Sequence, residues 1–196
     1  MITYLKKAAV CAAMLALASL GLRAEDSNSS QPFFAEMVLQ GVTFQVESPN
    51  DSSINPVTVR AMAGEKTFAE ERMEADGTIT GVEVEDLNAD GYPEIYIYVT
   101  SAGSGSYGSL IAYASNRNLS ISPIYLPPLE DDPAAAEGYM GHDRFMVGEG
   151  SLLRNFPVYL PGDTNAEPTG GTRQMQYRLR AGEAGWQLVP DKVFDF

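Results

Sequence analysis

Cysteine is almost absent from this 196-residue chain, and Cys11 is the single example. It lies in an apolar run, Ala8 to Leu22, that follows Lys6 and Lys7 and is succeeded by the small residue Ala24. A charged start, an apolar middle and a small-residue end make a secretory signal peptide. Residues 1–24 are therefore expected to be cut off after Ala24, and Cys11 leaves with them. The run is shorter than the ~20 residues a spanning helix needs, and Glu25-Asp26-Ser27 follow without a stop-transfer cluster. Cys11 also lies too early in the run for a lipoprotein anchor. What remains is an exported chain with no disulfide, so its 172 residues (196 less 24) must stabilise one core unaided. This fits the periplasm of a Gram-negative bacterium, with no membrane attachment after cleavage.

Positive charge is scarce too. Thirteen Lys and Arg face 26 Asp and Glu, for a net charge of −13. Losing Lys6, Lys7 and Arg23 with the signal takes this to −16. Such a molecule is a poor partner for nucleic acid or anionic lipid. It suits a basic protein, because complementary fields speed encounter, although acidity also serves plain solubility. Histidine is reduced to His142, beside Asp143. A base and its orienter would need a nucleophile, yet there is no G-x-S-x-G elbow and no thiol in the exported part. One histidine cannot build a zinc cluster. A hydrolase around His142 is only a formal alternative, and the residue reads as structural or surface. No enzyme activity, cofactor or metal is expected.

Helical stripes are missing as well. From Phe33 onward, short apolar segments recur between turn residues, among them 42–46, 57–63, 78–85, 121–126, 152–160 and 186–193. In 173–180, Met175, Tyr177 and Leu179 alternate with Gln174, Gln176, Arg178 and Arg180, the period of a strand with unlike faces. Asp90-Gly91, Pro161-Gly162, Gly170-Gly171 and Gly182 to Gly185 supply turns. The fold expected is all-β: an antiparallel β-sandwich or partly closed barrel forming one domain over 33–196, after a loose leader over 25–32. The only helix-friendly stretch, Asp131 to Gly138, is worth one or two turns.

What the chain does have is a distinctive centre, Glu94 to Ser115. Ile95, Ile97 and Val99 alternate with Tyr96, Tyr98 and Thr100, and Leu110 to Tyr113 form a second arm. Between the arms, Ala102 to Gly108 has too little apolar side chain for core and too much glycine for helix. The result reads as a hairpin that presents Ser104 and Tyr107 at its tip for insertion into a protein cleft. Gly103 to Gly108 also matches G-x-G-x-x-G, but a dinucleotide site must open a helix, whereas Ser109 onward looks extended. Just upstream, Asp86 to Gly91 matches D-x-N-x-D-G. The glutamate an EF-hand needs at its twelfth position is replaced by Ile97, so that version fails. A hairpin-type calcium loop would use Glu94 instead, while the simpler reading is a tight turn closed by Asp86 and Asn88. Glu130-Asp131-Asp132, Asp163 and Glu167 would form an anionic collar if their loops lie near the tip.

Several segments, in order, carry a resemblance: DLNADGYPEIYIY, SAGSGSYGSLIAYASN, IYLPPL, GYMGHDRF, Arg154 to Tyr159, GDTNAEPTGGTRQ and GEAGW. Over roughly Gly81 to Phe196 the chain resembles the periplasmic inhibitors of invertebrate-type (I-type) lysozyme. The resemblance implies a β-sandwich-type inhibitor, assembled as a homodimer, that shields peptidoglycan from a basic host lysozyme. It implies that an S-G-x-Y loop enters the enzyme's cleft, and that motif falls on Ser104, Gly105, Ser106 and Tyr107. Inhibitors of the chicken-type enzyme use S-G-x-x-Y, one residue longer, so their contacts are not carried over. Ser101 and Ser106 also offer hydroxyls, which leaves the key serine open. The alternative, from Asp86–Asp90 and the many tyrosines, is a calcium-stabilised carbohydrate-binding or adhesion module.

Overall fold

Period-two alternation sets the architecture, because each strand must hide one face or both. The computed structural model describes residues 31–196 apart from 149 and 184, so the signal-peptide reading and most of the leader lie outside the described residues. Four strands come first: β1 (Phe33–Leu39), β2 (Val42–Ser48), β3 (Ile54–Ala63) and β4 (Lys66–Asp76). They form an antiparallel meander in chain order. The remaining eight strands are β5 (Thr78–Glu85), β6 (Glu94–Thr100), β7 (Gly108–Asn116), β8 (Ser120–Tyr125), β9 (Arg144–Gly148), β10 (Ser151–Pro157), β11 (Thr172–Ala181) and β12 (Trp186–Asp195). Their order in the second sheet is β5-β6-β7-β8-β12-β11-β10-β9.

This second sheet curls into a nearly closed barrel. Its edge strands β5 and β9 are bridged by a side chain: the Val147 backbone N–H donates to Glu83 Oε2 (2.5 Å). The Tyr98 hydroxyl donates to the same oxygen (2.6 Å). The expected antiparallel order holds throughout except at one seam. There β8 and β12 run parallel, through the pairs Trp186–Ile124 and Gln187–Tyr125.

Two cores result, and β6 belongs to both. Tyr96 and Tyr98 point into the barrel, among Leu152, Phe156, Met175, Tyr177 and Leu188. Ile95, Ile97 and Val99 point the other way and pack on Val42, Phe44, Val46, Val57 and Val59 of the meander. The protein is thus both of the expected architectures at once, a sheet sandwiched against a barrel wall. Burying each large apolar side chain is worth about 1.5–3 kcal/mol, and β6 is buried from Glu94 to Val99.

Two local expectations are settled by the backbone. The stretch 131–138 forms no α-helix. A single 3₁₀ turn, Leu129–Asp131, leads into successive turns with one helical bond, Ala136 N–H to the Asp132 carbonyl (2.9 Å). Pro133 and Gly138 bracket too few residues for a helix to propagate past its unfavourable nucleus. Past the glycine-rich stretch the chain continues as strand β7 rather than a helix, which removes the dinucleotide reading. Among the described residues no helix is long and apolar enough to cross a membrane.

Replacing Ile97 tests the shared strand. Ile97→Ala is expected to destabilise the protein by about 2–5 kcal/mol, as for a large-to-small change at a fully buried site. The control Ile54→Ala, at a position 54% exposed, should change stability by no more than about 0.5 kcal/mol. Urea denaturation of both variants reads the difference.

Candidate functional site

The strand register closes at Thr100–Gly108, so residues 101–107 form the hairpin tip between β6 and β7. Inside the tip, Ser101 N–H donates to the Tyr107 carbonyl (2.9 Å), and Tyr107 N–H donates back to Ser101 Oγ (3.0 Å). Ser106 N–H donates to the Gly103 carbonyl (3.0 Å). These bonds sort the three hydroxyls. Ser101 is consumed as an internal acceptor, and Ser106 turns inward, its Oγ 3.4 Å from the Gly103 carbonyl. Ser104 stays exposed at the crown, and Tyr107 keeps 49% of its surface free.

The glycines of the tip do not serve to reach positive φ. Gly103, Gly105 and Gly108 are not in the left-handed region; Ser106 is, at φ 43°. Their function is close approach. A Cβ on Gly105 would lie 2.4 Å from Tyr107 Cε2, because the tyrosine ring folds over it. A Cβ on Gly108 would meet the Asp143 side chain at 2.5 Å.

The tip is stiffened by neighbouring loops. The tyrosines of the arms are committed elsewhere: Tyr96 and Tyr98 to the barrel, Tyr113 to the meander core. The bracing comes from two other segments. His142 N–H donates to the Gly105 carbonyl (2.8 Å), and Asn165 Nδ2 donates to the Ser104 carbonyl (2.6 Å). The His142 ring nitrogen Nε2 in turn meets Asn165 Oδ1 at 3.3 Å. The lone histidine is therefore structural.

Beneath the tip lies a charged anchor. Asp143 Oδ2 accepts Gly108 N–H (2.7 Å) and the Tyr139 hydroxyl (2.6 Å), while Oδ1 accepts Arg154 Nε (2.7 Å). Both charged side chains are buried, at 0% and 6% exposure. Burial alone would lower the Arg154 guanidinium, but the Asp143 carboxylate more than offsets it and the net direction is upward. Burial, and then the bond to Asp143, pushes the Tyr139 hydroxyl up. The guanidinium lies 5.1 Å from the Tyr139 ring centre and 5.4 Å from that of Phe145. Tyr139 meets Tyr107 edge-on at 5.7 Å and Phe156 at 4.9 Å. An unbroken chain of contacts thus runs from the barrel interior to the exposed tyrosine.

The two acidic loops do lie beside the tip. Glu130 shares with Tyr107 a hollow also lined by Leu110, Tyr125, Leu126 and Tyr139. Asp163 belongs to the loop that carries Asn165, and its carboxylate is tied to that loop. It accepts Leu160 N–H (2.7 Å), Thr169 N–H (2.8 Å) and the Thr169 hydroxyl (2.8 Å). The backbone bonds hold it below the usual carboxylate range, so it stays charged.

The far end of β6 holds the acids suited to a metal. Among the described residues, ligand oxygens of Asp86, Asp90 and Glu94 lie within 4.8 Å of one another. Burial pushes the Glu94 carboxyl up to about 8, with Asp86 and Asp90 adding to the rise and the Leu87 N–H opposing it.

A scan of protein-family models finds no match to this chain, and a search of curated proteins finds none either.

Asp143, Tyr139, Arg154 and Asn165 are the functional supports that sequence reasoning missed. One signal was present: Leu152, Arg154 and Phe156 alternate on one face of β10, all buried, and an arginine on an apolar face demands a buried acid. Asp143→Ala is expected to lose about 3–5 kcal/mol of stability by leaving Arg154 charged and unpaired. Adding Arg154→Met should restore a large part of that loss, while the tip stays loosened because the Gly108 N–H has lost its acceptor. Thermal melts, and amide hydrogen exchange at Gly108, of the single and double variants check this.

Proposed function

We propose that this protein is a periplasmic, non-enzymatic inhibitor of I-type lysozyme, which plugs the enzyme's cleft with the tip from Ser104 to Tyr107. The observation that carries the reading is an exposed serine and tyrosine on a hairpin tip held by hydrogen bonds from two other loops. A tip already ordered loses little freedom on binding, so more of its contact energy appears as affinity. Lysozymes cleave between sugars with a protonated acid and a second carboxylate facing each other across a groove. The Ser104 hydroxyl can donate to one and accept from the other, without the penalty of bringing a charge into the cleft. The Tyr107 ring has the flat, amphipathic shape of a sugar, with a hydroxyl at its end. Net charge supports the same partner, since a basic hydrolase is drawn to a strongly acidic protein. Export, and action as a homodimer, belong to this proposal.

The rival reading, a calcium-stabilised carbohydrate-binding or adhesion module, draws on the acids at the far end of β6. At about 3.3 Å per residue, the seven residues of β6 separate them from the tip, so a cation there bears on the fold and not on what Tyr107 touches.

Cell-wall lysis by I-type, chicken-type and goose-type lysozymes, each titrated with the protein, tests the proposal. Dose-dependent loss of I-type activity is expected, and no inhibition of any class would overturn it. Tyr107→Ala should weaken inhibition by about 30-fold or more, the loss of a ~2 kcal/mol hot spot, and Ser104→Ala should weaken it too. Both should melt within about 1 kcal/mol of the parent. Gly105→Ala should also impair inhibition, through displacement of the Tyr107 ring and with both hydroxyls intact.

A further inference from the structure

The loop from Asp86 to Tyr92 is held by Asp and Asn side chains that accept backbone N–H groups. Asp86 Oδ1 and Asn88 Oδ1 both accept from Asp90 N–H (3.0 and 2.9 Å). Asp86 Oδ2 accepts from Gly91 N–H (2.9 Å) and from Gln40 Nε2 of the β1–β2 turn (2.8 Å). Asp90 Oδ1 accepts from Tyr92 N–H (2.9 Å), and Asn88 Nδ2 donates to Asp90 Oδ2 (2.9 Å). Asp-rich turns do this without any ion, so these bonds by themselves identify no ligand.

Glu94 is what a turn does not account for. It is the first residue of β6, paired with Glu85 and Ala114, and only 1% exposed. Its Oε2 accepts Leu87 N–H (2.7 Å), yet its Oε1 is buried with no hydrogen-bond partner. It is the single buried side-chain polar atom left unsatisfied among the described residues. A hairpin needs no acid there. A buried oxygen without a donor is costly and calls for an explanation such as a bound ion. The same carboxylate converges with those of Asp86 and Asp90 to within 4.8 Å, about the diameter of an oxygen shell at 2.4 Å from calcium. Three carboxylates so close can all ionise together only at a cost that a cation between them removes.

We propose that Asp86, Asn88, Asp90 and Glu94 bind one calcium ion. The donors are all hard oxygens, three carboxylates and one amide, with no imidazole or thiolate. That set suits calcium and disfavours zinc. The positions are one, three, five and nine of the loop, so the strand-borne acid arrives earlier than in an EF-hand. Position twelve, Ile97, is spoken for by the meander core. Waters complete the shell, because four side chains supply fewer than the six to eight oxygens calcium takes. The ion would lock the start of β6 to the end of β5 and, through Gln40 and Asp86, to the β1–β2 turn. This inference stands whether or not the protein inhibits a lysozyme.

The test is calorimetric titration of the chelator-stripped protein with calcium chloride, alongside thermal melts in chelator, calcium and magnesium. One saturable site is expected, with Tm raised by about 3–6 °C at ten times Kd. Asp90→Asn keeps an acceptor for Tyr92 N–H but removes a charge. It should fold, melt in chelator at or above the parent, and lose the calcium-dependent shift. Absence of both heat and shift in the parent at about 10 mM calcium, above the Kd of even weak extracellular modules, would overturn the site. An undiminished shift in Asp90→Asn would overturn the ligand assignment, and an equal response to magnesium the choice of ion.

Discussion

A strand buried on both faces cannot be moved without disturbing two cores, and β6 is that strand. Its isoleucines and valine complete the meander's apolar face, and its tyrosines fill the barrel. The meander also meets Ile79, Val82 and Val84 of β5 and Ile111 and Tyr113 of β7, but β6 is buried from Glu94 to Val99 and contributes large side chains to both cores. Close packing transmits displacement, because interiors have few voids to absorb it. Both ends of β6 are therefore fixed points. One end enters the acidic loop and the other the glycine-rich tip, so the chemistry of the molecule is hung on its most constrained element.

The second constraint is the buried Asp143–Arg154 pair. Such pairs are weak sources of stability, because desolvation offsets much of the attraction. Their geometry is demanding, and here that demand does the positioning. One carboxylate satisfies a guanidinium, a phenol and the Gly108 backbone, so β10, the segment before β9 and the base of the tip meet at a single group. An apolar cluster of the same volume would hold these segments together, but without fixing the rotation of the tip relative to the barrel.

Much of this was legible in the chain. Strand positions follow from alternation and turn chemistry, and the apolar set Met175, Tyr177 and Leu179 is buried as its spacing implies. The exposed Tyr107 and Ser104 follow from the composition of the tip. What sequence could not supply is partnership across distance. Asn165 reaches Ser104 from 61 positions away, and no local pattern announces that. Asp143 was read beside His142, its neighbour in sequence, whereas space pairs it with Arg154. The parallel seam was illegible for a related reason: strands buried by the same residues pair in either direction, and topology alone decides. The role of the tip glycines is hidden for the same reason, since it depends on side chains from the tip itself and from the segment before β9.

The parallel seam has a consequence for how the molecule assembles. Strands β5 to β8 form one run of hairpins and β9 to β12 another, each made of contacts near in sequence. Among the described residues two pairs join β8 to β12, and the opposite margin is stitched by the Glu83 side chain. The barrel is thus two half-shells with thin joints. Local hairpins form early, whereas joining distant segments must first meet the entropy of closing a long loop. The joints are then the last parts to set. Asp143, just before β9, and Asn165 come from the second run while the tip they steady belongs to the first, and Tyr96 and Tyr98 of the first run pack among Leu152, Phe156 and Tyr177 of the second. The tip therefore takes its final form only once the two runs have docked on their common core.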